Sequence, residues 1–171
     1  MEFKPQKTKY HPMYWEIIES AAKQSVATRH KVGALVVTPT GMLSIGFNGM
    51  PTGLPNDCET TYVRCDQHPT GIRGKTNPEV IHAERNAIDK MTREGVSTKD
   101  SILFVSRAPC FECAKALHGL GLKTVYYQED HDDMRGVELL RATGTPVIKH
   151  RTMTDPIPTK DPHNESYNLC A

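Results

Sequence analysis

SILFVSRAPCFECAKALHGLGLKTVYYQ, residues 101–128, is the stretch on which the fold turns. SILFVS (101–106) carries β-branched and aromatic residues in a short run and reads as a strand. Pro109 then introduces CFECAKALHGLG (110–121), a short helical stretch closed by glycines. KTVYYQ (123–128) is a second strand. Strand, helix and strand in this order form a crossover unit whose two strands lie parallel with right-handed connection. MRGVELLRATG (134–144) and TPVIKH (145–150) repeat the step with one more helix and a short last strand.

Toward the N-terminus, HPMYWEIIESAAKQSVA (11–27) places Trp15, Ile18 and Ala22 at helical spacing, with Pro12 suited to a first turn. VGALVVT (32–38) and MLSIGFN (42–48) flank the turn PTG (39–41) and predict a hairpin. Residues 49–79 are rich in Gly, Pro, Asn, Asp and Thr and show little periodicity; a connection this long inside a compact domain is often functional. A helix is expected from about Ala83 to Glu94, stopping before Gly95. The order α-β-β-α-β-α-β-α-β predicts one α/β domain over residues 1–150. The proline-containing, apolar-poor stretch 151–171 is expected to be a poorly ordered C-terminal extension.

Composition narrows the function classes. The 171 residues are 37% hydrophobic and 24% charged, with a net charge of +1, so no global field favours a polyanion or a membrane surface. No apolar run reaches membrane-spanning length, and the start MEFKPQKTKYHP lacks the apolar core of a signal peptide. Five cysteines at irregular spacing fit reduced thiols in a cytoplasm, available for metal or chemistry.

Cys110 and Cys113 sit at i, i+3 and share a face if a helix starts at Cys110, where the helix dipole favours thiolate. Alone, the pair equally fits a redox couple. His82 supplies a third soft donor, and Glu84 follows it by two residues. In a regular helix those two point about 200° apart, so both face one pocket only if His82 precedes the first turn. NPEVIHAE (77–84) reads as extended up to His82 and allows this. Three protein ligands leave a fourth position for water, whose pKa zinc lowers from about 15.7 to about 7. A nearby Glu that is not a ligand moves the proton. H-x-E followed by P-C-x-x-C is the pattern of zinc deaminases, and here it reads His82-Ala83-Glu84 and Pro109-Cys110-Phe111-Glu112-Cys113. The reaction expected is hydrolytic loss of ammonia from an aminated base, cytosine or adenine.

KVGALVV (31–37), GFNGMP (46–51), HAERNAI (82–88), VSRAPCFECAKAL (105–117) and GLKTVYY (121–127) together resemble the deoxycytidylate deaminase family, in order over roughly residues 12–150. The zinc motif belongs to the whole cytidine deaminase superfamily. GFNGMP is the more discriminating segment, although the family usually has Tyr where this chain has Phe47. The resemblance implies a three-layer α/β/α cytidine deaminase-like fold with a five-stranded mixed sheet. It also implies conversion of dCMP to dUMP for dTMP synthesis, homohexamers, activation by dCTP and inhibition by dTTP, the effectors bound with Mg²⁺ near residues 47–49.

A free nucleotide needs a cation or amides for its 5′-phosphate. SVATRHK (25–31) offers Ser25 and Arg29, with Lys31 behind, where the family has a phosphate-binding segment; a solvated helix end is the competing reading. The resemblance assigns the sugar 3′-hydroxyl to Asn48, against turn chemistry; Ala83 is a further candidate substrate contact, as is Tyr127, which stands at a strand end where it could pack on base or phosphate, against a core role. Phe47, Asn48 and Gly49 are the candidate effector residues, with Arg93 a weaker one. Cys58, Cys65 and His68 offer three donors of a second zinc site without a clear fourth. Two other readings remain open: a deaminase of a nucleic-acid base or of a free nucleoside, and a non-enzymatic zinc module. The low charge and 6% aromatic content disfavour a nucleic-acid partner.

Overall fold

The structure, a computed structural model, describes residues 4–64, 66 and 68–150. The extension expected over 151–171 lies outside the described residues, as does Cys65.

After a short turn at Thr8–Tyr10, the elements are α1 (His11–Lys23), β1 (Gly33–Val37), β2 (Leu43–Phe47), β3 (Thr61–Arg64), β4 (Ile72–Lys75), α2 (Ala83–Arg93), β5 (Ile102–Arg107), α3 (Phe111–His118), β6 (Thr124–Glu129), α4 (Arg135–Ala142) and β7 (Val147–Lys149). Five strands form one mixed sheet in the order β2-β1-β5-β6-β7. β1 runs antiparallel to both β2 and β5, and β5, β6 and β7 run parallel, as the crossover units predict.

Strand alternation sorts the core into two layers. Leu35, Val37, Ile102 and Phe104 face Tyr14, Trp15 and Ile18 of α1. Ala34, Val36, Leu103, Val105 and Val125 face Ala83, Ala87, Ile88 and Met91 of α2, Leu117 of α3 and Val137 and Leu140 of α4. The result is a three-layer α/β/α sandwich. The central strands are buried on both faces, which is why they read as continuous apolar runs. Among the described residues, no helix is long and apolar enough to cross a membrane.

Two departures from the sequence reading have physical causes. α1 ends at Lys23 rather than near residue 27, because Ser25 turns inward and its hydroxyl donates to the Asn48 carbonyl at 2.8 Å. The 49–79 connection contains a second hairpin, β3 paired with β4. Its strands are four residues long and expose Tyr62 and Ile72, so no buried alternation marked them.

α2 lies directly on β2. Ser44 Oγ donates to the Ala87 carbonyl and Lys90 Nζ to the Ile45 carbonyl. Gly46 makes the approach possible: a Cβ there would stand 2.1 Å from the Ala83 oxygen and 2.6 Å from the Ala87 nitrogen. Gly136 of α4 allows a similar close approach to the chain entering α3, where a Cβ would stand 2.3 Å from the Pro109 carbonyl oxygen. Gly46→Ala is therefore expected to lower unfolding free energy by about 1–3 kcal/mol, the usual range for overpacking. Urea unfolding measures this, and an unchanged midpoint would contradict the close approach.

Candidate active site

Two helices begin at one place. His82 is the N-cap of α2, with extended backbone (φ −71°, ψ 154°), and Cys110 is the N-cap of α3 in a similar conformation (φ −66°, ψ 168°). Glu84 lies in the first turn of α2, one residue beyond the helix start. The break in helical geometry at His82 turns both side chains to one side, as the sequence required. The Cys110 sulfur also accepts a bond from the Cys113 amide at 3.4 Å, so it caps the helix it precedes.

The donor atoms of His82, Cys110 and Cys113 all lie within 4.8 Å of one another. His82 Nδ1 stands 3.2 Å from Cys113 Sγ and 3.4 Å from Cys110 Sγ. Tetrahedral zinc with bonds of roughly 2.0–2.3 Å separates its donors by about 3.5–3.8 Å, so the three residues fit that ion with little movement. Hydrogen bonds from Cys113 and then His82 outweigh burial and bring the Cys110 thiol down to about 3. The same pairing with Cys110, followed by burial, pushes Cys113 up. The pairing thus favours the thiolate form of Cys110 at the helix N-terminus, the form that binds metal. Glu84 is 4% exposed, and burial pushes its carboxyl up. It is absent from the ligand cluster, which fits a proton carrier.

A cavity of about 240 Å³ opens over this cluster. Among its lining residues are His82, Ala83, Glu84, Cys110, Asn48 and Arg29. Ser25 and Tyr127 do not line it. Ser25 is 2% exposed and bonded to the Asn48 carbonyl, while Tyr127 is 3% exposed in the layer beneath α4. Asn48 Oδ1 accepts from the Val32 amide, and its Nδ2 donates to the His30 carbonyl. It pins the segment that carries Arg29 to the end of β2. Lys31 is exposed and outside this lining, and Arg93 is exposed beside Glu94.

The amides of Asn48 and Gly49 are engaged by the Val32 and Ile81 carbonyls. Lys90 Nζ stands 5.8 Å from the Phe47 ring centroid, and the space beside the Gly49 α-carbon is open. Of the residues considered for a second zinc, Cys58 is buried with Ala27 and Val80, and His68 Nδ1 pairs with the Thr70 hydroxyl.

The cavity also holds groups that the sequence reading missed. Arg107, the last residue of β5, lines it together with His30, His131 and Asp132. Arg107 Nη1 lies 3.1 Å from His30 Nδ1, and since a guanidinium only donates, the ring nitrogen accepts; burial, then Arg107 and Arg29, push that imidazole down. Glu59, from the 49–79 connection, is 8% exposed. Its carboxylate accepts from the Thr28 amide and hydroxyl, each at 2.9 Å, and from the Arg29 amide at 3.4 Å. The long connection thus holds the turn that presents Arg29. Arg107 was findable as a cation three residues before Cys110 at a strand end; Glu59 carried no local signal.

Three protein donors that fit zinc, a buried carboxylate that is not one of them and a cationic rim define the class of site. Comparison with known proteins gives this class a family. The model of the cytidine and deoxycytidylate deaminase zinc-binding region matches residues 8–129, and the chain belongs to that family. Deoxycytidylate deaminase of Schizosaccharomyces pombe is 30% identical over 138 residues, 80% of this chain and 42% of its own length. Deoxycytidylate deaminase of Mycobacterium phage D29 is 32% identical over 118 residues, 67% of this chain and 90% of its own. The crystal structure of dCMP deaminase from the cyanophage S-TIM5, in complex with dCMP and dUMP, is 34% identical with a TM-score of 0.73, over 85% of this chain and 99% of that one. The chain spans less than half the length of the yeast relative. The five-stranded sheet between helices is the cytidine deaminase-like α/β fold.

Proposed function

We propose that this protein hydrolyses dCMP to dUMP and ammonia with zinc held by His82, Cys110 and Cys113, supplying the precursor of dTMP. The observation that carries the reading is the convergence, in one cavity, of the zinc-fitting cluster, buried Glu84 and the two guanidinium groups of Arg29 and Arg107. Zinc bound there would supply an acidified water and a Lewis acid. Glu84 would carry both protons of the attacking water in turn: the first to the ring nitrogen beside the reacting carbon, and the second, released from the new hydroxyl as the carbonyl forms, to the departing amine. Its burial keeps bulk water from taking the proton instead. Arg29 and Arg107 hold the 5′-phosphate and so choose nucleotide over nucleoside. Asn48 acts on the substrate chiefly by fixing the Arg29 segment.

Arg107→Ala tests the phosphate assignment. It is expected to lower kcat/KM for dCMP roughly 10- to 100-fold, the loss of a charge-assisted hydrogen bond, while leaving turnover of cytidine, which carries no phosphate, unaltered. Initial rates on dCMP, cytidine and single-stranded DNA measure it, and comparable kcat/KM for cytidine and dCMP in the parent would sink the phosphate argument.

Regulation by dCTP and dTTP with Mg²⁺, and a homohexameric assembly, follow from the resemblance. Support for an effector near Phe47 and Gly49 comes from the open space there and the Lys90 ammonium. At subsaturating dCMP, dCTP is expected to raise the rate and dTTP to lower it; a rate indifferent to both removes this part of the reading. Free thiols at Cys58, Cys110 and Cys113 agree with a cytoplasmic location.

A further inference from the structure

Asp132 sits among the cations of the cavity in a way the deamination reaction does not explain. It follows β6 in the loop leading to α4. Its Oδ2 lies 3.3 Å from Arg29 Nη2 and its Oδ1 lies 2.8 Å from Arg107 Nη2. The two arginines come from segments 78 residues apart in sequence, 29 and 107, and this one carboxylate bridges them. The neighbouring Asp133 behaves differently: it binds Arg135 at 2.6 Å and takes no part in the cavity lining. A phosphate bound between Arg29 and Arg107 would compete with Asp132 for the Nη2 hydrogens that it now accepts from both. A carboxylate left beside a bound phosphate would also repel it.

We propose that Asp132 is a resident counter-anion: it holds Arg29 and Arg107 together in the free protein and is displaced by the 5′-phosphate of the substrate. This rests on the phosphate assignment above and adds a specificity device to it. The carboxylate is intramolecular, so it is always present at the site. It therefore sets a threshold that every incoming anion must exceed. A nucleotide exceeds it because its base is held at the zinc end of the cavity at the same time. Free inorganic phosphate has no such second hold and competes poorly. The Asp132 side chain is 62% exposed, so the ion pairs are weak and the loop gives way at small cost.

The experiment compares the zinc-loaded parent with Asp132→Asn, which keeps shape and removes charge, with Asp132→Ala, and with Asp133→Asn as the neighbouring control. Two quantities are read: KM for dCMP, and the affinity for inorganic phosphate measured by calorimetry without nucleotide. Both Asp132 variants are expected to lower KM and to tighten phosphate binding by roughly 3- to 10-fold, with the larger change in KM than in kcat. Asp133→Asn should leave both at parent values. Unchanged or weaker phosphate binding in both Asp132 variants would overturn the proposal and assign Asp132 to holding the arginines for their ligand. The phosphate titration needs no turnover, so a parent that fails to deaminate dCMP would count against the reaction while the counter-anion is still judged by binding.

Discussion

Glu84→Gln is expected to cut kcat on dCMP by about 10³-fold or more while zinc remains at one ion per chain. General acid–base catalysis contributes typically 10²- to 10⁴-fold, and here one carboxylate serves both proton transfers. Gln keeps the volume and the hydrogen-bonding shape of Glu but cannot carry a proton between water and the base. The fold should tolerate the change, because Glu84 is 4% exposed and burial already opposes its charge. Metal analysis alongside initial rates distinguishes the outcomes. Activity near that of the parent would contradict the role of Glu84. Loss of zinc would make Glu84 a ligand, against the geometry, in which the fitting cluster is His82, Cys110 and Cys113.

Cys113→Ala should be at least as damaging, and by a different route. The Cys113 sulfur lies 3.2 Å from His82 Nδ1 and is buried. Its removal leaves two protein donors, too few for a site that must hold zinc and keep one position for water. Loss of a residue that only hydrogen-bonds and orients a ligand typically costs 10- to 100-fold in metal affinity, and loss of a ligand costs more. The variant is expected to lose zinc on dialysis and to fall below about one thousandth of parent activity. Circular dichroism should still show the α/β fold, since Ala fits the buried first turn of α3. Retention of zinc with full activity would show that the metal sits elsewhere.

Most of what positions the chemistry was legible because it is local. The β5-α3-β6 unit announced itself by a β-branched run, a proline-led helix and closing glycines. His82 and Glu84 needed only the argument that residues at i and i+2 share a pocket when a helix begins between them, and α2 does begin at Ala83. What stayed hidden depends on contacts distant in sequence. Arg107 reaches Asp132 and stands beside His30, a residue 77 positions away. Glu59 sits in a connection without periodicity, yet it fixes the turn carrying Arg29. Ser25 was expected to touch phosphate because hydroxyls and cations clustered in one motif. It turned inward instead, since the chain after α1 has to close on the end of β2. Tyr127 followed the ordinary fate of a tyrosine on a central parallel strand and was buried.

Zinc-dependent hydrolysis of dCMP by this chain is read from its products. Protein loaded with one zinc per chain is incubated with dCMP, and dUMP and ammonia are quantified over time, before and after removal of the metal with a chelator. Equimolar dUMP and ammonia from the loaded protein, lost on chelation and restored by zinc, is the predicted result. No dUMP from the zinc-loaded protein, or an equal rate after the metal is removed, would rule out a zinc-dependent dCMP hydrolase.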